Sequence, residues 1–174
     1  MGTDGSALIE YWHGVNLPPN MLIPMAAVTA IVKSSKELVG FGYSGSSLTF
    51  HFSDGSWIRT SLINKPYVNY HSVFNDFQNT VFCPLHSAFY DGVKSLESFA
   101  PDGNIIVTSS GLSTSDLNIH FGIDEGVLPD DIAFNAKYLL KIQDFITSAH
   151  FDVSNNQLMF YGDSLRGILK GVEI

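Results

Sequence analysis

Phe134-Asn135-Ala136-Lys137-Tyr138-Leu139-Leu140 opens a helical pattern, which gives way to Phe151-Asp152-Val153, a turn, Leu158-Met159-Phe160 and a last apolar strand from Gly167 to Ile174. Residues 23–63 write the same succession earlier in the chain. Ile23-Pro24 opens a helical pattern, strands run through Tyr43, and a turn leads to Leu48-Thr49-Phe50 and then to Ile58–Ile63. A repeated helix-plus-hairpin unit implies a fold assembled from modules, so repeats organise the reading.

Three helical patterns stand out. In 24–36, Met25, Val28, Ile31 and Val32 recur at helical spacing, with Lys33 and Lys36 near the end. In 84–99, Pro84 suits a first-turn position, and Leu85, Ala88, Phe89, Gly92, Val93, Leu96 and Phe99 trace one face. Over 135–148, Asn135 suits an N-cap. There Tyr138, Leu139, Ile142, Phe145 and Ile146 oppose Lys137, Lys141, Asp144 and Ser148. Alternation marks strands at 47–52, 104–108 and 117–121, and Asp54-Gly55 and Asn155-Asn156 supply hairpin turns. Residues 64–79 carry Pro66 and polar residues but also Tyr67, Tyr70, Val73, Phe74 and Phe77, which suits a connection docked on a surface. Three units follow, at about 7–63, 80–121 and 130–174. The expected fold is α+β, with amphipathic helices on one face and antiparallel sheets on the other.

With 174 residues, 45% of them apolar and 13% aromatic, the chain is long and apolar enough to bury a core. No stretch reaches the roughly 20 apolar residues of a membrane span. Met1-Gly2-Thr3-Asp4-Gly5 lacks the basic and apolar runs of a secretory signal, so a cytoplasmic location is expected. The single cysteine, Cys83, excludes internal disulfides and Cys-rich zinc sites. It precedes Pro84 in an apolar passage and is expected to be buried and inert. The six histidines have no metal-ligand spacing. No acid/base pair emerges, so neither enzyme chemistry, metal nor cofactor is expected. A net charge of −8 argues against a simple basic nucleic-acid-binding domain, while leaving room for a local basic face.

Several stretches resemble the bacterial sliding clamp, the beta subunit of DNA polymerase III. Thr3-Asp4-Gly5 with Leu8 resembles the family's Thr-Asp-Gly-His-Arg-Leu, with Ser6-Ala7 in place of His-Arg. Leu22-Ile23-Pro24 resembles its Val-Pro-x-x-x-Leu segment. Thr60-Ser61-Leu62-Ile63 through Tyr67-Val68-Asn69-Tyr70-His71-Ser72-Val73 resembles its Thr-Ser-Leu…Phe-Pro-Asp-Tyr-Arg-Arg-Val passage. Leu85-His86-Ser87-Ala88-Phe89 fits the helix opening the family's third domain, and Phe134 to Leu140 its Phe-Asn-x-x-Tyr-(Leu/Val)-Leu. The resemblance implies half of a clamp middle domain over 1–66, an interdomain connection over 67–79 and a C-terminal domain over 80–174. The family's Met-Pro-Met-Arg-Leu ending is replaced here by Lys170-Gly171-Val172-Glu173-Ile174.

By the same resemblance, the expected function is a non-enzymatic processivity factor, or a truncated form of one, in a bacterial or phage-infected cell. It would hold double-stranded DNA weakly and without sequence preference through Lys33, Lys36, Lys94, Lys137 and Lys141, since phosphate attraction permits sliding. DNA polymerase and other clamp-binding-motif proteins would insert Gln-Leu-x-Leu-Phe-like peptides into a groove at Thr3, Gly5, Leu8, Val68, Val73, Leu169 and Val172. Blander readings stand beside these: the lysines as an ordinary solvated helix face, the groove residues as packing of an interdomain seam. The alternative function is a truncated, phage-derived clamp relative that occupies partner peptides as a decoy or regulator without encircling DNA. The first unit has no sister in the chain, so its helix face at Val28, Ile31 and Val32 is expected to be exposed. A homo-oligomer in which two chains pair these units is therefore expected.

Overall fold

The structure is a computed structural model that describes residues 1–12, 14, 21–66, 69–116, 118–123, 128–129 and 131–173. It divides into two compact units: Met1–Gly14 with Asp76–Ile174, and Val15–Asn75.

The larger unit contains two helices and two sheets. The helix α2 (Ser87–Glu97) and the helix α3 (Ala136–Ile142) pack against each other. Helix α2 buries Phe89, Gly92, Val93 and Leu96 of the expected stripe and Tyr90 beside it, while Phe99, past the helix end, is exposed. It starts after His86, whose Nδ1 accepts from the Ala88 amide at 3.2 Å, so Pro84 precedes the helix rather than opening it. Asn135 caps α3 as expected, its side-chain oxygen accepting from the Lys137 amide at 3.2 Å. The helical pattern expected to reach 148 ends sooner, in a 3-10 turn at Gln143–Phe145, because Ser148 already begins a strand.

One sheet has five antiparallel strands in the order β1-β2-β12-β11-β10, where β1 is Gly2–Thr3, β2 Ala7–Tyr11, β10 Ser148–Asp152, β11 Gln157–Tyr161 and β12 Leu165–Lys170. The other has four, β8-β7-β6-β9, with β6 Asn104–Thr108, β7 Gly111–Thr114, β8 His120–Gly122 and β9 Ile132–Asn135. A single core joins them, with Ile105, Val107, Leu112 and Phe134 from one sheet meeting Leu158, Phe160 and Leu169 from the other. The alternation expected over 117–121 yields only the short β8, and Leu117 lies outside the described residues. Asn156 takes φ +49° in the β10–β11 turn, the left-handed conformation that asparagine tolerates.

Strand β2 belongs to this sheet, paired with β12 from Ala7↔Leu169 to Tyr11↔Leu165. An assignment of 1–66 to one body is therefore corrected at its start: residues 1–14 group with 76–174. Gly167 makes the pairing possible. A β-carbon there would strike the Phe160 ring and the Leu8 carbonyl, so Phe160 fills the space that a side chain would need.

The smaller unit is a helix followed by a three-stranded meander: α1 (Met25–Lys33), then β3 (Leu38–Tyr43), β4 (Ser47–Phe52) and β5 (Trp57–Ser61) in the order β3-β4-β5. Its core is Leu48, Phe50 and Phe52, which share one face of β4 and meet Ile23, Ile31 and Ile58. Asp54-Gly55 makes the β4–β5 turn, with Gly55 at φ +82°. The order helix, strand, strand, strand recurs in α2 with β6–β8 and in α3 with β10–β12, as the repeat implied. A 3-10 helix, Ser72–Asn79, crosses the boundary between the units in sequence. Its Phe77 is buried, stacked edge-on to Tyr161 with ring centroids 5.3 Å apart.

Candidate functional site

The β1–β2 hairpin turns at Thr3-Asp4-Gly5. One carboxylate oxygen of Asp4 accepts from the amides of Ser6 and Ala7, each at 3.0 Å, and the Thr3 hydroxyl accepts from the Gly5 amide at 3.2 Å. Gly5 sits at φ +95°, which glycine adopts without steric cost. The second Asp4 oxygen accepts from the Tyr138 hydroxyl at 2.8 Å, so α3 holds the turn in place. Hydrogen bonds from the Ala7 amide first, and then from Tyr138, hold this carboxyl below its ordinary pKa of 3.8.

From that turn, strand register lays out a row of side chains. Thr3 is opposite Leu8, Leu8 opposite Ile168, Ile168 opposite Met159, and Met159 opposite His150. Directly paired residues share a face, so the row crosses all five strands. It lies away from the core, toward which Ala7 and Ile9 point. Thr3 is exposed and Leu8 half-buried, while Ile168 and Met159, 6% and 1% exposed, are covered by the chain itself, with Phe82 packed against the neighbouring His150 and Tyr161 rings. Beside the row, Glu10 and Arg166 form a half-buried pair, with Arg166 Nε and Nη2 both 2.7 Å from one Glu10 oxygen. The same guanidinium lies 5.6 Å from the Trp12 ring centroid and 5.7 Å from that of Phe77. On the other side is Lys170, whose side chain is exposed and whose amide donates to the Ser6 carbonyl at 2.8 Å. An apolar strip with charged rims suits an extended peptide anchored by apolar side chains.

The residues expected in the groove divide accordingly. Thr3, Gly5 and Leu8 come together at the hairpin. Val172 is half-buried and bridges to Ala133. Leu169 is corrected: it is 1% exposed in the core, because alternation along β12 turns it inward and gives the outer position to Ile168. Val73 is 40% exposed in the smaller unit. Val68 lies outside the described residues. Ile168, Met159 and the Glu10–Arg166 pair were not anticipated. Only the inward pointing of Leu158 and Phe160 hinted that Met159 faces the other way.

Of the five lysines, Lys33, Lys94, Lys137 and Lys141 are exposed on helices. Lys137 and Lys141 stand one turn apart on α3, the Lys141 ammonium 5.3 Å from the Tyr138 ring centroid. Lys94 shares the solvent face of α2 with Asp91, and Asp144 follows α3. Glu97 ends α2, so across these two helices and their ends three lysines stand against three carboxylates and no net charge is left. Lys36 lies just beyond α1, which ends at Lys33, and its ammonium is bound to Asp54 at 2.5 Å and to Ser56 at 3.1 Å. That ammonium, with the Ser56 hydroxyl, holds the Asp54 carboxyl far below its usual range.

Cys83 is exposed rather than buried, because its backbone bridges to Ala149 at the sheet edge and leaves the thiol outside. It borders a cavity of about 770 Å³ lined by Leu85, Phe89, Ile123 and Phe151, which none of the groove residues joins. Among the described residues, no three His, Cys, Asp or Glu side chains are placed to hold a metal ion, and no helix is long and apolar enough to cross a membrane.

No protein-family model and no curated protein matches this chain. Solved structures do. The DNA polymerase sliding clamp from Caulobacter crescentus superposes with a TM-score of 0.73 and 16% identity, over 99% of this chain and 52% of that one. A second structure, of C. crescentus pol III beta, gives 0.74 and 17%, over 99% and 53%. The Helicobacter pylori beta clamp bound to a DNA ligase peptide gives 0.62 and 15%, over 87% and 45%. The chain thus has the α+β fold of bacterial sliding clamps and spans about half their length.

Proposed function

We propose that this chain is a sliding-clamp-like processivity factor, or part of one, that works by binding and not by chemistry. Its span would correspond to the second half of a clamp middle domain and the C-terminal domain. The observation that carries this reading is the pair Thr3 and Leu8, the accessible end of the row on the five-stranded sheet, set beside a turn that α3 fixes through Tyr138 and Asp4. That row offers an apolar strip to a Gln-Leu-x-Leu-Phe-like segment of a DNA polymerase or another clamp-binding protein. The clamp of H. pylori, bound to a DNA ligase peptide, supports a peptide as the natural occupant. Lys33, Lys94, Lys137 and Lys141 would meet duplex DNA through phosphates alone, giving weak, salt-sensitive contact suited to sliding. Encirclement would need several copies of the chain.

A second reading is favoured by the electrostatics. With Lys36 paired to Asp54 and no net positive charge on α2 and α3, DNA attraction is slight. A relative that occupies partner peptides without encircling DNA, as a decoy or regulator, would need no more. Two titrations separate these readings, one with a labelled Gln-Leu-x-Leu-Phe peptide and one with a labelled duplex at several salt concentrations. Binding of both supports the processivity factor, and binding of the peptide alone supports the decoy. Binding of neither overturns both.

A further inference from the structure

The smaller unit is short of a partner. Among its described residues, ten large apolar side chains are exposed and five apolar ones are buried, against eight and twenty-two in the larger unit. The exposed ones are not scattered. Met25, Val28 and Val32 form one stripe of α1, 67%, 38% and 78% exposed, while Ile31 turns in toward the meander. Leu38, Phe41 and Tyr43 of β3 pair with Phe52, Phe50 and Leu48, so they stand on the core face of the sheet and yet remain 40–59% exposed. The sheet's core face is thus only partly covered, since α1 contacts β5.

The larger unit contains the solution to the same problem. There one helix-plus-meander half is closed by another, α2 against α3, and each half lends the other the strand that precedes its helix. Strand β9, ahead of α3, pairs with β6 in the half of α2. The segment ahead of α2 returns the contact, with Cys83 and Ala149 of β10 exchanging hydrogen bonds of 3.0 and 2.8 Å. The exchange is reciprocal, as about a two-fold axis. In the smaller unit, half of this arrangement is present. The Ile63 amide donates to the Leu22 carbonyl at 2.9 Å, as the Val172 amide donates to the Ala133 carbonyl at 2.8 Å. The other side is not found among the described residues. Strand β3, the counterpart of β6 and β10, has no strand on its outer edge among the described residues.

We propose that two copies of this chain pair through their smaller units about a two-fold axis, α1 packing against α1 and residues 21–23 of each lying along β3 of the other. A second copy is the occupant because a helix-plus-meander half is what closes a like half elsewhere in this chain. An isologous contact also satisfies both β3 edges at once, removing two exposed templates for aggregation. Charge permits it. In a chain of net charge −8, residues 21–36 and β3 carry no carboxylate.

The test is sedimentation velocity of the full chain from about 1 to 200 µM, a range that resolves micromolar association, with hydrogen exchange followed at 38–43. The expected result is a doubling of mass accompanied by slower exchange in β3. Val28→Glu with Val32→Glu, both solvent-facing in the single chain, should weaken association by about tenfold or more while leaving circular dichroism unchanged. A monomer throughout overturns the proposal, as does a dimer indifferent to these substitutions. Protection of β3 in a monomer, independent of concentration, would mean that a segment of the same polypeptide covers the face, and overturns it too. The pairing goes beyond the clamp reading and is read from mass and exchange, so either can fail without the other.

Discussion

Asp4 concentrates three jobs in one carboxylate: it closes the first hairpin, anchors Tyr138, and sits beside the proposed peptide strip. Its folded pKa is depressed, so its contribution to stability is complete above 3.8 and is lost as pH falls through the folded value. Asp4→Asn should therefore flatten part of the acid decline of stability, by an amount kept small by solvent screening, as followed by thermal melts between neutral pH and the acid limb. Replacement of Tyr138 by Phe removes one charge-assisted hydrogen bond and should cost about 1–2 kcal/mol in urea denaturation. The Glu10–Arg166 pair offers a second test. Glu10→Gln leaves the guanidinium half-buried without its carboxylate, and a loss of about 2 kcal/mol is expected in the same assay. At this scale the local roles were legible: the Asn135 cap and the left-handed Asn156 follow from side-chain chemistry close in sequence. Leu169 was not, because whether a strand residue faces in or out depends on a partner 162 residues away, Ala7.

Elements were legible in order and type, and less so in extent. Helical spacing marked α1, α2 and α3; α1 holds its whole apolar pattern, while α2 and α3 stop short of theirs, where the next turn or strand takes over the backbone hydrogen bonds. The repeat was legible because each copy carries the same helix-to-meander succession. The joining of β2 to β12 was not, since nothing local in Ala7–Tyr11 says which edge it will complete. That join is testable at Gly167. Gly167→Ala would drive a methyl into the Phe160 ring and the β2 backbone, so a loss of about 1–3 kcal/mol is expected. Hydrogen exchange should rise in β2 and β12 before it rises in β6 or β7.

For the whole molecule, the proposed function would divide between two surfaces, an apolar strip for a peptide and a thinly charged set of helices for DNA. If Lys137 and Lys141 meet phosphates, changing both to Ala should weaken duplex binding and lower the salt-dependence slope by about two. Neither surface follows from composition, since a net charge of −8 conceals both. The resemblance supplied the hairpin residues Thr3, Gly5 and Leu8, and strand pairing supplied Ile168 and Met159. The most direct measurement is titration of a fluorescent Gln-Leu-x-Leu-Phe peptide into the folded chain and into its Leu8→Ala variant. Saturable binding to the native chain, weakened about tenfold or more in the variant, is the predicted result. No saturable binding by a chain with native circular dichroism, or equal binding by both, would contradict the account.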